Sequence, residues 1–282
     1  MASQHDSVLK TLTVALLVCL VCGVVVATAA VMLRPTQETN KLLDKQINIL
    51  LAAGSYKAGM DVQKAFESIE RKFVDLESGE YVEMPESYDQ RKASKDPEQS
   101  IRLDGKTDIA SLKRQATVAE VYLATDHNGE LSKIILPVHG YGLWSTLYGF
   151  LALEPDANTV AGLGFYEHAE TPGLGGEVDN PKWKAIWPGK EVFDENGDLA
   201  IQVIKGTVDA GAADASHKVD GLAGASLTTN GVNNLVRFWV GESGFGPYLD
   251  KIHANAAGYS DEERAPATDT SVPAEGEEVI NG

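Results

Sequence analysis

Cysteine is almost missing from this chain. Its two copies, Cys19 and Cys22, both lie in an apolar stretch near the N-terminus. The rest of the chain therefore has no disulfide framework and cannot by itself hold a cysteine-ligated iron–sulfur cluster. Basic residues are scarce as well. There are 24 Lys and Arg against 41 Asp and Glu, a formal net charge of −17. This balance argues against nucleic acid as a partner, because phosphate backbones are met by Lys and Arg. It also disfavours broad contact with anionic lipid. Long apolar runs are confined to one segment. Overall hydrophobic content is 43%, as in an ordinary globular protein, so only that segment can cross a membrane.

That segment runs from Thr11 to Leu33 without a charge, between Lys10 and Arg34. Its 23 residues, at about 1.5 Å each, reach roughly 34 Å, enough for a bilayer core of about 30 Å. Ala27-Thr-Ala29 also has the look of a signal-peptide cleavage site. The apolar run continues through Val31, Met32 and Leu33, longer than a signal core, and this favours an uncleaved anchor. Flanking charge does not orient it, since Lys10 faces Arg34, Lys41 and Lys45 across the run. Cys19 and Cys22, at i and i+3, are read as apolar packing.

Beyond the anchor, periodicity predicts a helix over 40–51 and a second over 61–76, the latter with Val62, Ala65, Phe66, Ile69, Phe73 and Leu76 as its stripe. Residues 78–105 are polar, contain Pro85 and Pro97, and read as a connection. From Ala116 the pattern turns to strands: 118–123, 133–138, 147–153, 159–165 and 199–204. Asp126-His-Asn-Gly129 and Asp194-Glu-Asn-Gly197 are turn signals. The fold class expected is α+β: an N-terminal transmembrane helix, then a soluble domain of mostly antiparallel sheet with packed helices. The expected divisions are 1–34 with the anchor, 35–115 as a helical and polar connecting region, 116–258 as the main domain, and 259–282 as an acidic, disordered tail.

Three segments carry chemistry. Gly140-Tyr-Gly-Leu-Trp144 follows a strand. Its glycines permit close backbone approach, and Tyr141 and Trp144 can lie against a flat ring. His168-Ala-Glu-Thr-Pro-Gly-Leu-Gly-Gly176 is a defined loop with polar groups at His168, Glu170 and Thr171. The His/Glu pair lacks a third ligand at supporting spacing, so no metal is expected. Asp220-Gly-Leu-Ala-Gly-Ala-Ser-Leu-Thr-Thr-Asn-Gly231 leads into Val232, Leu235, Val236, Trp239 and Val240, one apolar helix face. Thr228, Thr229 or Asn230 can cap that helix, and a helix start with free N–H groups accepts phosphate.

The last segment resembles the flavinylation motif Asp-x-x-(Ser/Thr)-Gly-Ala-(Ser/Thr)-x-(Ser/Thr). Asp220, Gly224, Ala225, Ser226 and Thr228 match it, and Ala223 departs from it. The second segment is similar to the His-x-Glu-Thr-Pro-Gly-Leu-Gly loop of FMN-binding domains in respiratory redox complexes. Together with the single anchor and Gly140-to-Phe150, the order resembles the covalent FMN-binding subunit family of Na+-translocating NADH:quinone oxidoreductases, over about Lys10 to His253. The resemblance implies FMN as the cofactor, joined as a phosphoester to Thr228 by a flavin transferase. It implies Thr171, Leu174, Gly175 and Glu170 in the flavin pocket, with Ser226 and Thr229 as the neighbouring hydroxyls.

It further implies an electron-relay subunit rather than a complete enzyme, within a Na+-transporting, NADH-oxidising and ubiquinone-reducing translocase. Other membrane and redox subunits are the implied partners: electrons would arrive from an iron–sulfur centre and leave to another flavin. No glycine-rich nucleotide loop is visible, so NADH would be oxidised elsewhere. The implied location is a bacterial inner membrane with the domain periplasmic. Lys205 can offset charge on a reduced flavin, or stand as a solvated lysine. The corresponding flavin subunit of the related ferredoxin-linked (RNF-type) complex shares the anchor, loop and threonine. A membrane-anchored binding or regulatory module without covalent flavin is the alternative of a different class.

Overall fold

A computed structural model describes residues 8–263. The elements are α1 (Val8–Ala52), α2 (Val62–Phe66), β1 (Ile69–Asp75), α3 (Gln90–Ala93), β2 (Ser100–Arg102), β3 (Arg114–Ala116), β4 (Val118–Thr125), β5 (Leu131–Tyr141), β6 (Thr146–Leu153), β7 (Val160–Glu167), α4 (Pro181–Lys184), β8 (Gln202–Val203), β9 (Lys218–Val219), α5 (Ser226–Val240) and α6 (Gly246–Glu263). The centre is a five-stranded sheet in the order β1-β4-β5-β6-β7. Every neighbouring pair in it is antiparallel.

The strands alternate between two buried faces. Val121, Leu123, Ile134, Leu136, Val138 and Leu151 point to the core that α5 closes with Val232, Leu235, Val236, Trp239 and Val240. The helical spacing of these five α5 residues thus becomes one buried stripe. Each such side chain contributes about 1.5–3 kcal/mol by leaving water. Tyr122, Ala124, Ile135, Phe150 and Ala152 point the other way, where Ile49, Leu50, Ala52 and Ala53 cover them.

A buried carboxylate joins α1 to the sheet. Glu120 Oε2 accepts from Lys45 Nζ at 2.7 Å and Glu120 Oε1 from Arg71 Nη2 at 2.7 Å. The Tyr122 hydroxyl donates to the same carboxylate. Burial by itself would raise the Glu120 carboxyl. Lys45, the Tyr122 hydroxyl and Arg71 outweigh it and hold the group below the usual carboxylate range.

Several expected boundaries change. The helix expected over 40–51 is the end of α1, which runs unbroken through Pro35. Pro35 lies in an exposed stretch, and the Thr39 hydroxyl donates to its carbonyl at 3.1 Å. The helix expected over 61–76 stops at Phe66, and Ile69–Asp75 becomes an edge strand paired with β4 in continuous register from Ile69↔Ala124 to Asp75↔Val118. Sheet pairing overrides a periodicity too short to decide between helix and strand. The region 35–115 is therefore not separate from the domain, because it supplies β1. Its polar part is tied to the sheet through Arg71, whose guanidinium donates to the carbonyls of Glu86 and Tyr88. The strand expected over 199–204 shrinks to Gln202–Val203, parallel to β9. Residues 259–263, expected in the disordered tail, belong to α6. Residues 264–282 lie outside the described residues.

The apolar stretch 11–33 is exposed along its length within α1. The helix runs antiparallel to β7: Ala52 packs on Gly162, while Lys41 and Glu167 border a common cavity. The apolar stretch therefore departs from the end of the sheet where β5 and β7 finish and β6 begins.

Replacing Glu120 with Gln should cost about 3 kcal/mol, because Lys45 and Arg71 lose their shared anion. Thermal or denaturant unfolding of the detergent-solubilised chain measures it. Because folding depresses the Glu120 carboxyl, its contribution is complete above the ordinary glutamate range near 4.5. It is lost as pH falls through the lower folded value. The mutant should therefore lose less stability than the parent over that acid interval.

Candidate functional site

Three chain segments meet at this same end of the sheet. The first is the turn Gly142–Ser145 between β5 and β6, closed by Gly142 N–H to Ser145 O at 2.8 Å. The second is the loop after β7. The third is the start of α5. Glu170 connects all three. Its Oε1 accepts the backbone N–H groups of Leu143 and Trp144, both at 3.0 Å. Its Oε2 accepts the Thr228 hydroxyl at 2.7 Å.

Both partners are buried, Glu170 at 5% and Thr228 at 1% exposure. Burial would raise the Glu170 carboxyl, but the Trp144 amide, the Thr228 hydroxyl and the Leu143 amide hold it below the usual range. Among the described residues no Lys or Arg forms an ion pair with it. The anion is satisfied by N–H and O–H donors alone.

Two glycines make this approach possible. A Cβ on Gly142 would stand 2.6 Å from Glu170 Oε1, and one on Gly175 would stand 2.4 Å from Thr228 Oγ1. Both distances are shorter than any side chain tolerates. A third, Gly231 in α5, lets the helix meet the end of β5, where its Cβ would lie 2.6 Å from Tyr141 O. The loop is shaped by His168 and Thr171. His168 Nδ1 accepts the Glu170 N–H at 3.2 Å and its Nε2 meets Asp179 at 2.7 Å. The Thr171 carbonyl accepts from Leu174 and Gly176.

The expected residues fall into three groups. Glu170, Gly175 and Thr228 touch one another. Tyr141, Trp144 and Leu174 present exposed faces of 47%, 65% and 45% on the same segments. Leu143 and Leu227 join them at 38% and 60%, and motif reading did not single out either. The remaining residues shape the approach to α5. Gly224 takes a left-handed φ of +74°, and Leu174 lies 3.2 Å from where its Cβ would be. Ala225, at the N-cap position, offers no side-chain cap. Ser226 opens the helix and is exposed.

None of Thr228, Thr229 and Asn230 caps α5, contrary to expectation, because the helix begins two residues before them. Thr229 Oγ1 instead accepts the Leu222 N–H at 3.0 Å. Asp220 is spent on the scaffold: its Oδ1 accepts the Val208 N–H at 2.7 Å and its carbonyl accepts Trp183 Nε1 at 2.9 Å. Lys205 is exposed at a bend whose neighbours, Ile204 and Gly206, pack on Gly221. A cavity of about 570 Å³ beside α1, bordered by Lys41, Arg91 and Tyr148, contains none of the expected residues. The candidate site is an open, largely apolar surface around one buried hydroxyl.

Residues 142–241 match the family model described as FMN-binding domain. The chain is 56% identical over 263 residues to the NqrC subunit of the Na(+)-translocating NADH-quinone reductase of Pseudomonas aeruginosa, covering 91% of this chain and 100% of that protein. The corresponding protein of Yersinia pestis is 48% identical, covering 90% and 96%. The crystal structure of Shewanella oneidensis NqrC superposes with a TM-score of 0.70 at 36% identity, covering 76% of this chain and 99% of that one. The chain belongs to the NqrC family of Na+-translocating NADH-quinone reductase subunits. Within this family member, the FMN-binding match begins at the turn that binds Glu170 and ends just after α5.

The donor set suits FMN. Exposed Tyr141, Leu143, Trp144, Leu174 and Leu227 offer apolar contact to a flat ring, and the first turn of α5, free of a side-chain cap, suits a phosphate. Gly175→Ala should push the loop off Thr228 and cost about 1–3 kcal/mol through overpacking. Lower melting temperature and faster amide exchange at Leu143 and Trp144 are the expected readouts.

Proposed function

We propose that this chain is the electron-relay flavoprotein subunit of a Na+-translocating NADH:quinone oxidoreductase, with FMN held as a phosphoester on Thr228. The observation that carries this reading is the Thr228 hydroxyl. It is buried at the first turn of α5, bonded to Glu170, and bordered by exposed apolar side chains on all three segments. FMN supplies the redox chemistry when bound.

The residues of this chain bind and orient it. Thr228 fixes the phosphate end, and the uncapped N–H groups of Ser226 and its successors, at the positive end of the helix, favour the remaining negative charge. Tyr141, Trp144, Leu143 and Leu174 shield the ring from water. Gly142 and Gly175 keep the backbone close. Gly224 and Ala225 set the chain direction into α5, and Asp220 braces that approach. Thr171 holds the loop in its turn, and Lys205 stands as a cation on the neighbouring bend.

The apolar stretch of α1 is the membrane anchor, in a bacterial inner membrane with the domain periplasmic. Because that stretch departs from the end of the sheet that carries the site, the flavin faces the bilayer. This placement suits exchange of electrons with membrane-embedded partners: an iron–sulfur centre as donor and another flavin as acceptor, each in a neighbouring subunit. A flavin transferase installs the FMN. The relatives matched at 56% and 48% identity both carry the name of the Na+-translocating complex, and this favours it over the ferredoxin-linked one.

The test is co-production of the full chain with a flavin transferase, read by intact mass and in-gel flavin fluorescence. An FMN-sized increment is expected in the parent and in Ser226→Ala and Thr229→Val, and none in Thr228→Val. An increment that survives in Thr228→Val moves the attachment to another hydroxyl. A parent chain that takes no flavin favours a binding module instead.

A further inference from the structure

We propose that Glu170 is the base for attachment of FMN to Thr228, and that it keeps the proton afterwards as a neutral acid beside the phosphodiester. This rests on the flavin reading above and adds to it the group that selects and activates the acceptor.

Three hydroxyls lie within four residues, and among the described residues only one bonds to a carboxylate. Ser226 is exposed at the helix start, and among the described residues it bonds to no carboxylate. Thr229 Oγ1 is engaged by the Leu222 N–H. Thr228 alone donates its hydroxyl to a carboxylate, at 2.7 Å, within the reach a general base requires. Glu170 is also aimed. With Oε1 held by two amides, rotation of the carboxyl is blocked and Oε2 is left for the acceptor. His168 accepts the Glu170 backbone N–H and in turn meets Asp179.

The chemistry balances with a flavin adenine dinucleotide as the co-reactant. Thr228 Oγ1 attacks the phosphorus on the flavin side of the pyrophosphate. The Oγ1–H bond breaks and its proton passes to Glu170 Oε2. The Oγ1–P bond forms, the P–O bond to the adenylate half breaks, and AMP leaves with that electron pair. Nothing is oxidised or reduced. A carboxylate and a phosphodiester now share one buried place, and like charges so close do not both stay ionised. Retaining the transferred proton on Glu170 removes the conflict and supplies a donor to the phosphodiester.

The same geometry requires an opening step. No atom fits between Gly175 and Thr228 Oγ1, since even a Cβ would approach to 2.4 Å. The loop 171–176, in which Gly173 holds a left-handed φ of +76°, must lift before phosphorus arrives.

Glu170→Gln is the informative variant. Its amide oxygen still accepts from Leu143 and Trp144, while its NH2 faces Thr228 and cannot take a proton. With the full chain in detergent, a flavin transferase and FAD, kcat for attachment should fall by about a hundredfold or more, with KM for the chain unchanged and the circular dichroism preserved. An unchanged kcat, or a loss that lies wholly in KM, overturns the proposal. If the variant does not fold, the parent decides. Its infrared difference spectrum, loaded minus unloaded, should show a protonated-carboxyl carbonyl band that shifts in D2O, and absence of that band overturns the proposal. A parent that takes no FMN refutes the flavin reading itself. A parent and Glu170→Gln loaded equally fast refute only the role of Glu170.

Discussion

A five-stranded sheet with apolar side chains on both faces has to be covered twice, and that constraint organises this molecule. One cover is α5, whose stripe from Val232 to Val240 is fully buried. The other is the last part of α1, with Ile49, Leu50 and Ala52. The second cover is unusual in being continuous with the apolar stretch that leaves the domain. The helix proposed to enter the bilayer is thus part of the core packing rather than a tether on a flexible linker, and the end of the sheet it leaves from is the end that carries Thr228.

Two buried glutamates do different work because their charges are compensated differently. Glu120 lies among Lys45, Arg71 and Tyr122. Fixed cations hold it ionised, and it acts as a bolt between helix and sheet. Among the described residues, Glu170 has only amide and hydroxyl donors. Such donors satisfy a carboxylate without neutralising it, and one of them is the Thr228 hydroxyl proposed to carry FMN. A carboxylate stabilised in this way responds strongly to any new charge brought beside it, as a phosphate on Thr228 would be. The contrast fits Glu120 as a stabilising bolt and Glu170 in the chemical role proposed for it.

The FMN-binding match covers 142–241, yet the site is not self-supporting within those limits. Tyr141 closes β5, the strand on which α5 rests, and Ala110 accepts the Tyr141 N–H from outside the sheet. The strands β1, β4 and β5 lie before the match and carry much of the core. The region first read as a connection supplies the sheet edge at β1. The domain that presents the flavin site is therefore wider than the segment that contains its motifs.

Much was legible in the residues themselves. A helical stripe at i, i+3, i+4, i+7 and i+8 leaves α5 no alternative face to bury, so its position followed from periodicity. The strands between Val118 and Phe165 were marked by their runs of strand-forming residues and the first hairpin by the Asp126-to-Gly129 turn, and the three site segments by glycines and hydroxyls at defined spacing. Other features depended on partners distant in the chain. Ile69–Asp75 fits helix and strand almost equally until β4 offers a full ladder. The anchor ending at Leu33 and the helix over 40–51 read as separate elements until α1 is seen to run through both, with Pro35 in an exposed stretch. The bond from Thr228 to Glu170 spans 58 residues, and no local pattern announces which carboxylate will meet which hydroxyl. Local propensity and burial pattern act over a few residues and can be read in order. Pairing of strands, compensation of a buried charge and the convergence of three loops are settled only when the sheet closes and brings their ends together.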